Sequence, residues 1–228
     1  MGHWLSLTAD DGHTLQAYRA EPKGAPRGGI VLLQEIFGVN AHIRSVCDGF
    51  AEEGYLVVAP ALFDRVERGV ELGYTPDTTT KGRALRGELG WDAPLRDARA
   101  ALVLASPAGK VAAVGYCWGG SLAFLCAARL DGVAAAVAYY GGQIVGFASE
   151  PLRCPVLMHF GARDALIPPA DVEAIRAAQP GALVHVYDAD HGFSCDARAS
   201  HDAAAASLAR ERTLAFLAQA TQSLEKVG

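Results

Sequence analysis

Cys117 lies in the stretch VAAVGYCWGGSLAFL, where an apolar run meets a glycine-rich turn that opens into a helix. Gly115-Tyr116-Cys117-Trp118-Gly119 fits the G-x-S-x-G elbow with cysteine in the place of serine. Such a turn strains the backbone of its central residue, so the flanking positions must lack a Cβ that would collide. Gly115 and Gly119 meet that demand, and Gly120 lets the following helix lie close to the strands. The free N–H groups at the start of that helix favour a thiolate. Alone, a cysteine at a glycine turn is only a small buried thiol. Two further residues change the reading: Asp164 comes shortly after the apolar run PVLMHFG, and His191 shortly after ALVHVYDA. Nucleophile, acid and histidine thus each follow an expected strand. Their chemistry would be acyl transfer, with His191 taking the thiol proton while Asp164 fixes the imidazole tautomer and steadies its charged form. Asp188 and Asp190 are also close to His191 in sequence, but residues on the same turn are less well placed to orient the ring, which ranks Asp164 first.

A third apolar run, in VLLQEIFGVN, ends at Glu35. The backbone N–H of Ile36 would there pair with that of Trp118 around a developing oxyanion. A carboxylate beside such a hole repels the same oxygen. Glu35 must therefore be turned away, neutralised or paired with the thiol, unless it is a solvated loop residue.

The elements that must position these groups alternate along the chain. HWLSLTADDGHTLQAYRAEP alternates apolar and polar residues around Asp11-Gly12 and predicts an antiparallel hairpin. GIVLLQ, YLVVAP, KVAAVGY, VAAAVAYYG, CPVLMHFG and ALVHVYDA predict strands. Helices are expected in AHIRSVCDGFAEEG, with Ile43, Val46, Phe50 and Ala51 on one face and a stop at Gly54, and in APLRDARAALVLA, WGGSLAFLCAARL and ADVEAIRAAQ. A last helix is expected from about Ser200 to Ser223, in which Leu208, Leu214, Leu217 and Leu224 recur. The region from Ala61 to about Thr80 shows no periodicity and is expected to be a long irregular loop. This order predicts an α/β fold: a mostly parallel sheet with helices on both faces, in one domain over 1–228, with ligands at the carboxyl ends of the strands.

A net charge of −5 argues mildly against nucleic-acid or membrane partners. No run approaches the ~20 apolar residues of a membrane span, and the opening residues lack a signal-peptide pattern, so a cytoplasmic protein is expected. Five irregularly spaced cysteines predict free thiols. No C-x-x-C or H-E-x-x-H spacing occurs, and neither a metal nor a cofactor is expected.

The stretches QEIFGVN, DGFAEEGYLVVAPALF, GYCWGG, YYG, PVLMHFGARDALIP and HGFSCDARAS together resemble the dienelactone hydrolase (carboxymethylenebutenolidase) family of α/β-hydrolases, over nearly the whole chain. The resemblance implies a Cys117-His191-Asp164 triad that opens a carboxylate-bearing enol-lactone to maleylacetate, and a monomer is expected. It implies further that Glu35 contacts the resting thiol, held away from His191 until an anionic substrate displaces the glutamate. Such a family enzyme binds the substrate carboxylate with arginines. Arg198 matches one of them, whereas Lys81, Arg83 and Arg86 offer a second without a secure match, with Arg83 expected to be the substrate-binding one. Tyr140 and Phe37 are expected to wall the pocket. The alternatives are a broader carboxylesterase or thioesterase with the same triad, a non-catalytic ligand binder, and a thiol redox sensor in which Cys195 pairs with Cys117.

Overall fold

A computed structural model describes residues 2–221. Its frame is one sheet of eight strands: β1 (His3–Thr8), β2 (Thr14–Ala20), β3 (Gly29–Leu33), β4 (Leu56–Pro60), β5 (Val111–Tyr116), β6 (Val133–Tyr139), β7 (Val156–Gly161) and β8 (Leu183–Tyr187). They lie in the order β1-β2-β4-β3-β5-β6-β7-β8. β1 and β2 form the expected hairpin and β2 pairs antiparallel with β4, while every other pairing is parallel.

The apolar runs are continuous because the central strands are covered twice. Every residue of β3, β4 and β5 is buried, the pattern a parallel strand shows when helices cover both faces. The described helices are α1 (Ala41–Glu52), α2 (Pro76–Leu89), α3 (Asp92–Ala105), α4 (Trp118–Arg129), α5 (Pro169–Ala178) and α6 (Ala203–Thr221), and α1, α3, α4 and α6 supply the cover. Asn40 caps α1 by accepting from the Ile43 amide, and the helix buries Ile43, Cys47, Phe50 and Ala51. Each fully buried Ile or Phe stabilises such a contact by about 1.5–3 kcal/mol. α4 is buried from Trp118 through Ala128, as suits a helix that is apolar all round.

Neighbouring β3 and β5 are where the winding reverses: the chain leaves β3 toward β4 on one side and leaves β5 toward β6 on the other. The connections after the two strands diverge there and open a crevice at their carboxyl ends. Glu35 follows β3 and Cys117 follows β5.

Two expectations are corrected. The region from Ala61 to Thr80 is not irregular throughout, since it holds a short helical turn at Leu62–Arg65 and the start of α2 at Pro76. Thr75 accepts from the Thr78 amide while Thr78 answers at the Thr75 amide, a reciprocal cap followed by proline in the first turn. The last helix begins at Ala203, and Leu208 faces solvent, so the buried line runs through Ala205, Ala209, Thr213 and Leu217. Ser223 and Leu224 lie outside the described residues.

Candidate active site

β5 delivers its last residue directly into the elbow. Cys117 has φ 55° and ψ −116°, and its amide donates to the Tyr139 carbonyl at 2.9 Å. A Cβ on Gly115 would stand 1.8 Å from the Gly119 carbonyl oxygen, and one on Gly119 would stand 2.1 Å from that of Leu33. Strand, turn and helix therefore approach so closely that only glycine fits at either position, and the sulfur is carried on a turn that cannot relax.

The loops after β7 and β8 bring the other two groups to it. His191 Nε2 lies 3.2 Å from Cys117 Sγ, and its Nδ1 lies 2.7 Å from Asp164 Oδ2. The second Asp164 oxygen accepts from the Leu166 amide at 2.8 Å, which fixes the carboxylate. Asp188 and Asp190 face Arg163 instead. Burial alone would lower the affinity of His191 for its proton, but the Cys117 sulfur and the Asp164 carboxylate outweigh it and push the imidazole up to about 10.

Glu35 is fully buried rather than solvated. Its Oε1 accepts from Arg198 Nη1 at 3.2 Å and its Oε2 from the Tyr74 hydroxyl at 3.3 Å. Of the three states open to this carboxylate, the structure shows the neutralised one. The arrangement differs from the resting state implied by the resemblance, because the thiol meets His191 while Glu35 is held by the arginine. Burial opposes the charge on Arg198, and Glu35 together with Cys117, Tyr140 and Cys195 outweighs it, so its proton is held more tightly than usual. The guanidinium also lies 5.7 Å from both the Phe37 and the Tyr74 ring centroids.

Among the described residues, neither the Ile36 nor the Trp118 amide donates to a protein acceptor. Gly82 of α2 packs on the Ile36 peptide so tightly that a Cβ there would be 2.0 Å from its carbonyl oxygen. Tyr140 is buried with φ 39°, its ring 5.1 Å from that of His191. Arg83 is exposed on α2, Lys81 pairs with Glu67 at 2.7 Å, and Arg86 is partly buried. Tyr74 was not among the expected site residues, and neither was His42. Glu35, His42 and Cys195 are buried together, with one ligand-type atom from each within 4.8 Å of the others. A cleft of about 460 Å³ between β2 and α1 holds none of these groups, so cavity size does not mark this site.

A nucleophile elbow at the switch point of a mostly parallel sheet, with acid and histidine on the following strand ends, defines an α/β-hydrolase. The model of the dienelactone hydrolase family matches residues 15–221. Carboxymethylenebutenolidase of Pseudomonas putida is 37% identical over 229 residues, covering 94% of this chain and 95% of that protein. A crystal structure from Klebsiella pneumoniae, provisionally named a dienelactone hydrolase, superposes with a TM-score of 0.85 at 33% identity, covering 96% of this chain and 99% of the other. An esterase of Pyrococcus furiosus shares the fold at a TM-score of 0.71 and 15% identity, covering 97% and 93% of the two chains. The chain belongs to the dienelactone hydrolase family and is a hydrolase of ester or lactone bonds.

Proposed function

We propose that the protein opens a small carboxylate-bearing lactone, a dienelactone, to maleylacetate, with Cys117 as nucleophile, His191 as its base and Asp164 orienting the imidazole. The carrying observation is the unbroken line of contacts from Asp164 through His191 to the Cys117 sulfur, at 2.7 and 3.2 Å. Sulfur bonds to the lactone carbonyl carbon, and the displaced electron pair rests on oxygen between the Ile36 and Trp118 amides. When the carbonyl re-forms, the ring C–O bond breaks and an enolate leaves, taking its proton from the imidazolium. Water then attacks the acyl-cysteine as His191 removes its proton, and the C–S bond breaks to return the thiolate. A conjugated enolate leaves readily, so the intermediate expels oxygen in preference to sulfur.

Arg198 supplies the match to the substrate carboxylate, which exchanges with Glu35 at the guanidinium. The exchange moves the glutamate's charge away from the oxyanion as substrate arrives. Tyr140 and Phe37 wall the site, and Arg83 is the second basic candidate. The same reading has the enzyme act on aromatic-degradation products as a cytoplasmic monomer without a cofactor.

The test is hydrolysis of cis- and trans-dienelactone and of uncharged activated esters by wild type, Cys117→Ala and Arg198→Ala. Cys117→Ala is expected to lose about 10⁴-fold or more in kcat/KM, the scale on which removal of a nucleophile acts. Arg198→Ala is expected to raise KM for the dienelactones and not for neutral esters, on which the unpaired Glu35 charge acts through kcat instead. Preference for neutral esters in the wild type would instead favour the broader esterase or thioesterase reading. The Glu35–Arg198 pair gives that reading its support, since it leaves the resting arginine already neutralised.

A further inference from the structure

Three groups converge at Glu35 from separate parts of the chain. Glu35 follows β3, His42 lies in the first turn of α1, and Cys195 lies in the loop after β8. All are buried, and one ligand-type atom of each lies within 4.8 Å of the other two. The hydrolytic mechanism uses neither His42 nor Cys195.

His42 is the informative member. Its Nδ1 lies 3.0 Å from Asp196 Oδ1, its side chain is 5% exposed, and its Nε2 is buried without a hydrogen-bond partner. Buried polar atoms are almost always satisfied, so an unpartnered nitrogen on an imidazole that belongs to a buried polar cluster points to a missing partner. A carboxylate on the opposite nitrogen fixes the tautomer that leaves Nε2 with its lone pair, the arrangement that presents histidine to a metal ion. Cys195 contributes a thiol within hydrogen-bond reach of the Tyr74 hydroxyl. The Glu35 carboxylate gives Oε1 to Arg198, while its Oε2 faces Tyr74. Oε2 is therefore held only by a neutral hydroxyl, and a cation at that oxygen would not have to break the ion pair.

We propose that Glu35, His42 and Cys195 form a binding site for a thiolate-preferring divalent ion of the Zn²⁺ class. One carboxylate oxygen, one imidazole nitrogen and one sulfur are a donor set that suits Zn²⁺ and not Mg²⁺ or Ca²⁺, which take oxygen. Three protein ligands leave a fourth tetrahedral position for water. On binding, the Cys195 S–H bond breaks, its proton goes to solvent, and the sulfur pair is donated to the metal. His42 stays neutral with Nδ1–H donated to Asp196. The site shares Glu35 with the catalytic reading but contains no member of the triad, so it is tested by metal binding and not by hydrolysis.

Titration of the full chain with Co²⁺ tests this, read by the thiolate-to-cobalt charge-transfer band and the visible bands of tetrahedral Co²⁺. The titration is made in the Cys117→Ala background, which removes the catalytic sulfur. A saturating band at one equivalent is expected there, displaced by Zn²⁺. The charge-transfer band is expected to vanish in Cys117→Ala/Cys195→Ser, and binding to weaken about tenfold or more in Cys117→Ala/Asp196→Asn, where the support of His42 is lost. Absence of the band in Cys117→Ala, or its persistence after Cys195→Ser, would overturn the proposal. Cys195→Ser is nearly isosteric, so it carries the test should Asp196→Asn disturb folding. Hydrolytic failure of the Cys117→Ala chain does not enter the readout, which keeps this outcome separate from that of the catalytic test.

Discussion

Cys117 occupies a backbone conformation, φ 55°, that a non-glycine residue adopts at a cost of about 1–3 kcal/mol. What that strain gives is direction: the sulfur is aimed at His191 Nε2 rather than at the core. Its partner is correspondingly perturbed, since burial disfavours the imidazolium while Cys117 and Asp164 favour it more strongly, raising His191 from 6.5 to about 10. The sign of the consequence follows from linkage. A base whose affinity for protons is raised on folding stabilises the fold fully below its unfolded value, about pH 6.5, and that stabilisation is lost as pH rises through about 10. Cys117→Ala removes the sulfur that supports the imidazolium. Denaturant melts of wild type and Cys117→Ala are therefore expected to differ most below pH 6.5 and to converge as pH approaches about 10. A difference that stays constant across that window would show that the sulfur does not hold the imidazolium.

At the scale of elements, α2 shows why some of the fold was legible in the sequence and some was not. Strands such as β3 and β5 announce themselves because burial on both faces demands unbroken apolar residues. α2 buries only Gly82, Leu85 and Leu89, too little to leave an apolar stripe, and its sole sequence mark is the Thr75-Pro76-Asp77-Thr78 cap. The site divides in the same way. Cys117, Asp164 and His191 could be picked out because each follows a strand, whereas Tyr74 and His42 enter through contacts between distant segments that no local pattern records. α2 would still bear on the chemistry, because Gly82 rests on the carbonyl of Ile36, the residue whose own amide is one proposed oxyanion donor. Alanine is a better helix former than glycine by about 1 kcal/mol, so Gly82→Ala favours α2 itself. The added methyl would stand 2.0 Å from the Ile36 carbonyl oxygen, so Ile36 must shift and its amide with it. Loss of one oxyanion donor costs about 10²–10³ in rate. Gly82→Ala is expected to lower kcat toward that range with little change in KM, and an unaltered kcat would remove α2 from the mechanism.

Across the whole molecule, the site depends on the sheet staying assembled, because its groups hang from four strands that α6 helps to bind together. His159 of β7 is the buried node of that assembly. Its Nδ1 lies 2.8 Å from the Tyr187 hydroxyl of β8 and its Nε2 3.0 Å from Thr213 Oγ1 of α6, and Thr213 in turn meets the Tyr139 hydroxyl of β6 at 2.7 Å. Burial first, and then the neighbouring His185 and Arg212, push His159 down to about 3, so it is neutral in the folded protein. For a base whose proton affinity falls on folding, the stabilisation is complete above the unfolded value, about pH 6.5, and is lost as pH falls through about 3. The unfolded chain binds the proton that the native node refuses, and acid therefore draws the equilibrium toward unfolding. His159→Gln keeps hydrogen-bonding capacity but cannot be protonated in this range. It is expected to be less stable than wild type at neutral pH, where the imidazole fits its two partners, yet to lose less stability on acidification, so that the two denaturant midpoints approach one another as pH falls. Equal acid slopes for the two proteins would show that the node is not what limits the fold. Because β7 leads to Asp164 and β8 to His191, loosening at this node moves both partners of Cys117, and hydrolysis is expected to decline no later than the fold does.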